Sequence, residues 1–274
     1  MPKISIIIVS FNTRSSLITC LKSLQETPPE ISHEIIVVDN ASSDGTPEAL
    51  TNNWPDIRLL RLNKNFGFAA ATNKGIRRTS GELVLLLNSD TIVPRGSIDN
   101  LVAALTANPE VAIAGPRLLS RDGRLELSFG SMISPVSEVR QKLLNWSLNN
   151  NFRLLSNWVE KRARHPHHPD WVSGACLLVR RHDAEAVGLL DERFFLYTED
   201  VDFCWAVRRK NRLVLFTPNS EIVHDRGCSR EFDPKTSHSA YRRSHFAFYK
   251  KHHPFWVPIL RLYLRLRGTL IESN

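Results

Sequence analysis

The sequence predicts an α/β fold: a mostly parallel central sheet flanked by helices, followed by a helical C-terminal appendage. Three observations carry this reading. Short β-branched runs alternate with helical spacing of apolar residues through the first third of the chain. The runs are apolar on both faces, as strands covered by helices on each side must be. The 274 residues, 42% of them hydrophobic, suffice for one large domain with an appendage.

Taken in order, residues 4–9 form a buried strand, and 13–25 a helix with Leu17, Ile18, Leu21 and Leu24 on one face. Residues 34–38, 57–62 and 83–87 are the next strands, with helices at 45–53 and 69–79 between them. A helix is expected over 98–107, stopped by Asn108-Pro109, then a strand over 111–114 and a hairpin over 118–127 around Asp122-Gly123. Residues 128–169 carry scattered aromatics and the basic run Lys161 to His168. They are expected to be a mobile insertion with one or two short helices, the histidines lying in a solvated loop. Strand character returns at 171–179, a short helix at 183–187 and a turn at 190–195. A helix from 199 carries Glu199, Asp200 and Asp202 in its first turn, where exposed N–H groups favour acids. Strands follow at 212–216 and 222–224. From Tyr241 the chain is basic and aromatic, a composition suited to a bilayer interface more than to a core.

Charge and motifs exclude several functions. The net charge of +8 suits an anionic partner, yet the basic and aromatic residues gather in the tail without any nucleic-acid-binding pattern, so nucleic acid is not the expected partner. Cys20, Cys176, Cys204 and Cys228 are far apart with no CxxC pair, which disfavours zinc and disulfide frameworks and fits a reducing cytoplasm. No run approaches the ~20 apolar residues of a membrane span, and no signal peptide is recognisable. GxGxxG and GxxxxGK[ST] are both missing.

In a parallel sheet, ligands bind at the carboxyl ends of the strands. Four strands here run into polar residues: Ser10-Phe11-Asn12, Asp39-Asn40-Ala41-Ser42-Ser43-Asp44-Gly45, Asn63-Lys64-Asn65-Phe66-Gly67, and Asn88-Ser89-Asp90. Any one of these is ordinary loop chemistry. Together they predict a polar cleft, and a carboxylate at its edge suits Mg²⁺ or Mn²⁺ shared with phosphate oxygens.

These blocks in this order resemble family 2 glycosyltransferases, inverting enzymes of the GT-A fold. Ile6-Ile7-Ile8-Val9-Ser10-Phe11-Asn12 and Val37-Val38-Asp39-Asn40-Ala41-Ser42-Ser43-Asp44-Gly45 carry the likeness, with Asn65-Phe66-Gly67-Phe68-Ala69-Ala70-Ala71-Thr72-Asn73 and Leu87-Asn88-Ser89-Asp90. Trp171-Val172-Ser173-Gly174-Ala175 and Thr198-Glu199-Asp200-Val201-Asp202 extend it to about residue 230, nearest to a rhamnosyltransferase-like branch. The resemblance implies a catalytic domain over 1–230, with a nucleotide-sugar half at 1–95 and an acceptor half at 96–230, and an amphipathic extension at 231–274. It implies Asp200 as catalytic base, with Glu199 and Asp202 as alternatives unless Asp202 serves its helix, and Ser10, Asn12, Asp39, Asn65, Gly67, Asn73 and Asn88 as donor-binding residues, Asp39 on the nucleotide base. Trp171, Gly174 and Glu199 are implied for the acceptor, and Asp90 with His224 for the divalent metal, Asn88 standing where the family has the first Asp of DxD. The implied partners are a UDP- or dTDP-type sugar and a glycan or polyprenyl-linked acceptor, met by a cytoplasmic protein peripheral to the inner face of the cell membrane. The Asn at position 88 leaves an alternative, an inactive or scaffolding relative that binds sugar nucleotides.

Overall fold

The computed structural model describes residues 2–150, 153–225 and 234–266. The first half is built as the hydrophobic pattern requires: β1 (Ile4–Ser10), α1 (Arg14–Glu26), β2 (His33–Asp39), α2 (Thr46–Asn53), β3 (Arg58–Arg61), α3 (Phe68–Ile76) and β4 (Leu83–Asn88). Successive β1 residues alternate between two cores. Ile6 and Ile8 join Leu17, Leu21 and Leu85 on one face, while Ile7 and Val9 join Ile36, Val38 and Leu86 on the other. Each such side chain, fully buried, contributes roughly 1.5–3 kcal/mol, so both faces resist a one-residue slip of register.

The second half comprises β5 (Thr91–Ile92), α4 (Ser97–Thr106), β6 (Val111–Leu119), β7 (Leu125–Glu126), β8 (Phe129–Gly130), α5 (Pro135–Asn149), α6 (Arg153–Arg162), β9 (Trp171–Val172), β10 (Cys176–Arg180), α7 (Arg181–Ala186), α8 (Glu199–Arg208) and β11 (Leu213–His224). The central sheet runs β3-β2-β1-β4-β10-β6-β11-β5 with β7 on β6, and β8 pairs with β9 separately. It is parallel from β3 to β4 and between β6 and β11, whereas β10, β5 and β7 run antiparallel. The reversal of β10 has a consequence for function. Cys176 pairs with Leu87, so β10 starts where β4 ends, and residues 171–175 stand at the same edge as Asn88-Ser89-Asp90.

Two regions differ from the sequence reading. In the 128–169 stretch, α5 and α6 are 15 and 10 residues long, and Leu144, Val159 and Ala163 are buried in the main core. The histidine run is docked as well: His167 lies against Phe129 and Phe216, at 4.6 and 5.0 Å between ring centres, and His168 Nδ1 lies 3.0 Å from the carbonyl of Val214. Burial pushes His167 below the usual histidine range.

The C-terminal region divides in two. α9 (Pro234–His252) buries Phe248 and Tyr249 against Phe194 and Val201 of the main domain; these aromatics are core, because ion pairs described below pin the helix down. α10 (Val257–Leu266), reached through a 3₁₀ turn at Pro254–Trp256, leaves Phe255, Ile259, Leu262 and Tyr263 exposed beside Arg261 and Arg265. The domain boundary expected near 230, Cys228 and the last eight residues lie outside the described residues. Cys20, Cys176 and Cys204 are buried and free, and no helix among the described residues is long and apolar enough to cross a membrane.

Candidate active site

The carboxyl ends of β1 to β4 are knitted together by their own side chains. Ser10, buried, meets Thr13 at 3.0 Å, and Thr13 meets Ser89 at 2.9 Å, a hydroxyl chain from β1 to the Asn88-Ser89-Asp90 turn. Asn12, in a left-handed conformation (φ 53°), accepts from the Ser43 N–H at 2.8 Å, and its own N–H reaches the Ser42 hydroxyl at 3.0 Å. Asn65 accepts from Asn40 and from the Gly67 N–H at 2.8 and 2.9 Å. Ser10, Asn12 and Asn65 therefore shape the loops.

Two residues of this edge keep unused capacity. Asp39 is buried, one oxygen accepting from the Ser42 N–H at 3.2 Å while Oδ1 has no hydrogen-bond partner. An orphaned buried carboxylate oxygen is costly unless a ligand completes it. Asn88 commits its backbone, N–H to Ala175 at 2.9 Å and carbonyl to the Thr91 hydroxyl at 2.8 Å; its side-chain amide makes no hydrogen bond to the described residues.

Gly67 and Asn73 do something else. Gly67 has φ +84°, and a Cβ there would come 2.4 Å from the Phe195 carbonyl, which accepts from the Phe68 N–H at 2.7 Å. Asn73 bonds the Leu190 carbonyl and Glu192 through its amide N–H groups, at 2.8 and 2.9 Å, and accepts from the Leu190 N–H at 3.1 Å. Both hold the 190–195 turn against α3, and with every hydrogen-bonding end of its amide engaged there, Asn73 braces that turn.

Asp90, Glu126 and His224 form a buried row. The antiparallel pairing of Thr91 with His224 brings β11 beside Asp90. His224 Nε2 lies 3.4 Å from Asp90 Oδ1, and Nδ1 3.0 Å from Glu126 Oε2. Burial alone would depress this imidazole, but the two carboxylates outweigh it and hold it up at about 9. Two ligands at right angles, each ~2.1 Å from one cation, sit about 3 Å apart, so Asp90 and His224 fit one divalent ion. Glu126 stands behind the ring in the position from which a carboxylate orients a ligating histidine. No group of three or more His, Cys, Asp or Glu able to hold a metal occurs among the described residues, so an ion held by Asp90 and His224 would need further oxygens from substrate or water. Glu126 escaped the sequence reading; its only signal is an acid between Leu125 and Leu127.

The acid-rich start of α8 reaches the same edge through the 171–175 segment. Tyr197 and Thr198 precede it with φ of 70° and 66°, strain costing about 1–3 kcal/mol each that the surroundings must offset. Asp200 accepts from the Gly174 N–H and the Val201 N–H, both at 2.8 Å. Desolvation nevertheless raises its carboxyl above the usual range, the hydrogen bonds opposing it. Glu199 is buried with Oε2 unpartnered, and burial, then the neighbouring Asp200 charge, pushes it well above the usual range. Gly174 backs Asp200: a Cβ there would stand 3.2 Å from the Asp200 Cβ. The Trp171 indole N–H donates to the Ser131 carbonyl at 2.9 Å, and its ring covers Gly130. Asp202 is tied instead to α9, His252 at 2.6 Å and Lys251 at 2.8 Å, with Lys251 also 2.7 Å from Asp191. The backbone joins the two sides: Asn88 bonds Ala175, and the preceding Gly174 bonds Asp200.

Comparison with known proteins gives the family and the fold. Residues 5–185 match the profile of Glycosyl transferase family 2. The chain is 30% identical over 266 residues to the N-acetylglucosaminyl-diphospho-decaprenol L-rhamnosyltransferase of Mycobacterium tuberculosis (strain ATCC 25618 / H37Rv), covering 88% of this chain and 85% of that protein. It is 29% identical over 256 residues to O-antigen biosynthesis protein RfbC of Myxococcus xanthus, covering 88% of this chain but 19% of RfbC. Among solved structures, mannosyltransferase PcManGT from Pyrobaculum calidifontis in complex with GDP-Man and Mn²⁺ superposes with a TM-score of 0.62 at 21% identity, over 94% of this chain and 68% of that one. GalNAc-T7 with UDP, GalNAc and Mn²⁺ does so with a TM-score of 0.62 at 17% identity, over 82% of this chain and 44% of that one. At such identities the likeness is one of fold, the GT-A arrangement.

Proposed function

The chain belongs to Glycosyl transferase family 2, and we propose that it moves a sugar, rhamnose first among the candidates, from a UDP- or dTDP-type donor to a hydroxyl of a lipid-linked glycan, with inversion. The acceptor and the sugar rest on the mycobacterial relative, whose name gives both. The observation that carries the reading is the opposition of two prepared sides: Asp200, desolvated yet held by two N–H groups, against the Asp90–His224 pair and the open Asp39 oxygen.

In this reading Asp39 Oδ1 accepts from an N–H of the nucleotide base, and the Asn88 amide meets the ribose. Asp90 and His224 hold Mg²⁺ or Mn²⁺, which when bound neutralises the departing diphosphate. The Ser10–Thr13–Ser89 chain keeps the Asp90 turn in place. Asp200 takes the proton of the acceptor hydroxyl as that oxygen attacks the anomeric carbon from the face opposite the nucleotide; its raised pKa improves it as a base. Glu199, its carboxyl pushed well above the usual range by burial and one oxygen left unpartnered, meets the acceptor sugar. Trp171 and Gly174 wall the acceptor side. The exposed apolar residues of α10, flanked by Arg261 and Arg265, set the protein on the anionic inner face of the cell membrane.

The test is release of nucleoside diphosphate from a panel of UDP- and dTDP-sugars with Mn²⁺ and a lipid-linked acceptor. Asp200→Asn should lower kcat by ~10²–10⁴ while donor affinity, read by calorimetry, stays within twofold. Full turnover in that variant removes Asp200 from the chemistry; no turnover of any donor by the parent chain points to the scaffolding alternative.

A further inference from the structure

A cavity of about 120 Å³ lies between α5, α6 and the β8–β9 pair, apart from the residues that handle donor and proton. A water needs ~10–15 Å³ on this scale, so the space takes a group of several heavy atoms. Arg140, Trp158 and Arg162 line it, with Gln141, His168 and Asp170. Both guanidinium groups lie over the Trp158 ring, 5.4 and 5.7 Å from its centre. Neither has a carboxylate partner among the described residues. The one acid in the wall is already spent: Asp170 pairs with Arg208 at 2.8 Å and accepts from the Met132 N–H at 2.8 Å. Two like charges thus lie over one ring with no carboxylate paired to either among the described residues. A multi-oxygen anion matches that arrangement, because a guanidinium binds phosphate through paired N–H groups.

Position narrows the anion. The wall residue Asp170 runs straight into β9 and then to Gly174, whose N–H holds Asp200; four residues span at most about 14 Å. On the other side, the outer face of α5 exposes Val136, Val139, Leu143 and Trp146, at 80%, 60%, 53% and 52%. Their spacing of three and four residues makes one stripe, and Arg140 stands between it and the cavity. An anionic group within reach of the transfer site, continuing into a hydrocarbon chain, fits both features.

We propose that this cavity binds the diphosphate of the polyprenyl-linked acceptor, Arg140 and Arg162 gripping its oxygens while the prenyl chain leaves along the α5 stripe. The proposal rests on the lipid-linked acceptor of the preceding section. It is tested with the full chain and Arg140→Gln/Arg162→Gln, both positions being exposed, after an unchanged unfolding midpoint shows that the fold is kept. Farnesyl diphosphate, farnesol and inorganic pyrophosphate serve as calorimetric probes, with Mn²⁺ and UDP as the control for the donor site. The expected result is farnesyl diphosphate binding weakened at least tenfold by the double substitution, UDP binding unchanged, and both farnesol and pyrophosphate weaker than farnesyl diphosphate on the parent chain. Equal farnesyl diphosphate affinity in the two proteins overturns the proposal, as does farnesol binding as tightly as its diphosphate. Pyrophosphate binding as tightly as farnesyl diphosphate makes this a site for free anions and overturns the lipid assignment. Failure of the parent chain to glycosylate any prenyl-diphosphate-linked sugar, with these affinities as expected, strikes the acceptor reading alone.

Discussion

The two sides of the cleft are built differently. On the side proposed to bind the donor, Ser10, Asn12, Asp39 and Asn88 each stand at or just beyond the end of a strand, and short hydrogen bonds between adjacent loops fix them. On the side proposed to meet the acceptor, α8 is fixed by charges brought from far along the chain: Lys251 and His252 of α9 meet Asp202, 49 and 50 residues away. The same helix reaches α5, where His245 and Tyr249 both bond Glu138, at 2.6 and 2.7 Å. A donor edge made by neighbouring strands forms with the sheet. An acceptor edge held by a distant helix depends on that helix staying docked.

The sharpest way to break this contrast is Asp202→Ala. It leaves His252 without its buried acceptor and Lys251 with Asp191 alone, and losing one partner of such a network costs about 3–5 kcal/mol. The unfolding midpoint should fall by on the order of 10 °C, and acceptor KM should rise while the donor affinity of the folded fraction holds. A midpoint within 2 °C of the parent would show α9 to be dispensable for the acceptor edge.

Next in size is a pH effect at the Asp90–His224–Glu126 row. The folded-state pKa of His224 is about 9 against 6.5 for a free histidine. In the presence of EDTA its contribution is therefore complete below pH 6.5 and is lost as pH rises through 9, by roughly 3 kcal/mol at most. Denaturant titrations from pH 6 to 10 should show that decline, and His224→Gln should remove it. An unchanged slope in the variant would mean that the clamp does not stabilise the fold.

The smallest effect separates geometry from stability. In Gly174→Ala the new Cβ stands 3.2 Å from the Asp200 Cβ, pushing the base by a few tenths of an ångström. A loss of roughly tenfold in kcat is expected, with donor KM and unfolding midpoint nearly unchanged. A kcat equal to the parent's would show that the position of Asp200 tolerates the shift.

The donor edge was legible because alternating burial, strand ends and polar loops are local facts. Ile6 to Asn12 reveals both a two-faced strand and the loop beyond it. The acceptor edge was only half legible. Asp200 was singled out through a resemblance, while the burial that raises its pKa comes from packing. Glu126 went unnoticed because the residue it serves, His224, is 98 positions away. Phe248 and Tyr249 were assigned to a bilayer interface because composition does not distinguish an aromatic that meets lipid from one that meets Phe194 and Val201.

Sequence by itself determined the α/β order and the polar carboxyl edge, since these follow from periods of 2 and 3.6 residues and from side-chain chemistry. Only the tertiary structure decided that β10 runs backwards to place Gly174 beside Asp200, that Asp202 is an anchor, and that Arg140 and Arg162 share one ring. Each of these depends on distances between segments remote in the chain, and no local pattern encodes such a distance until the core has closed around it.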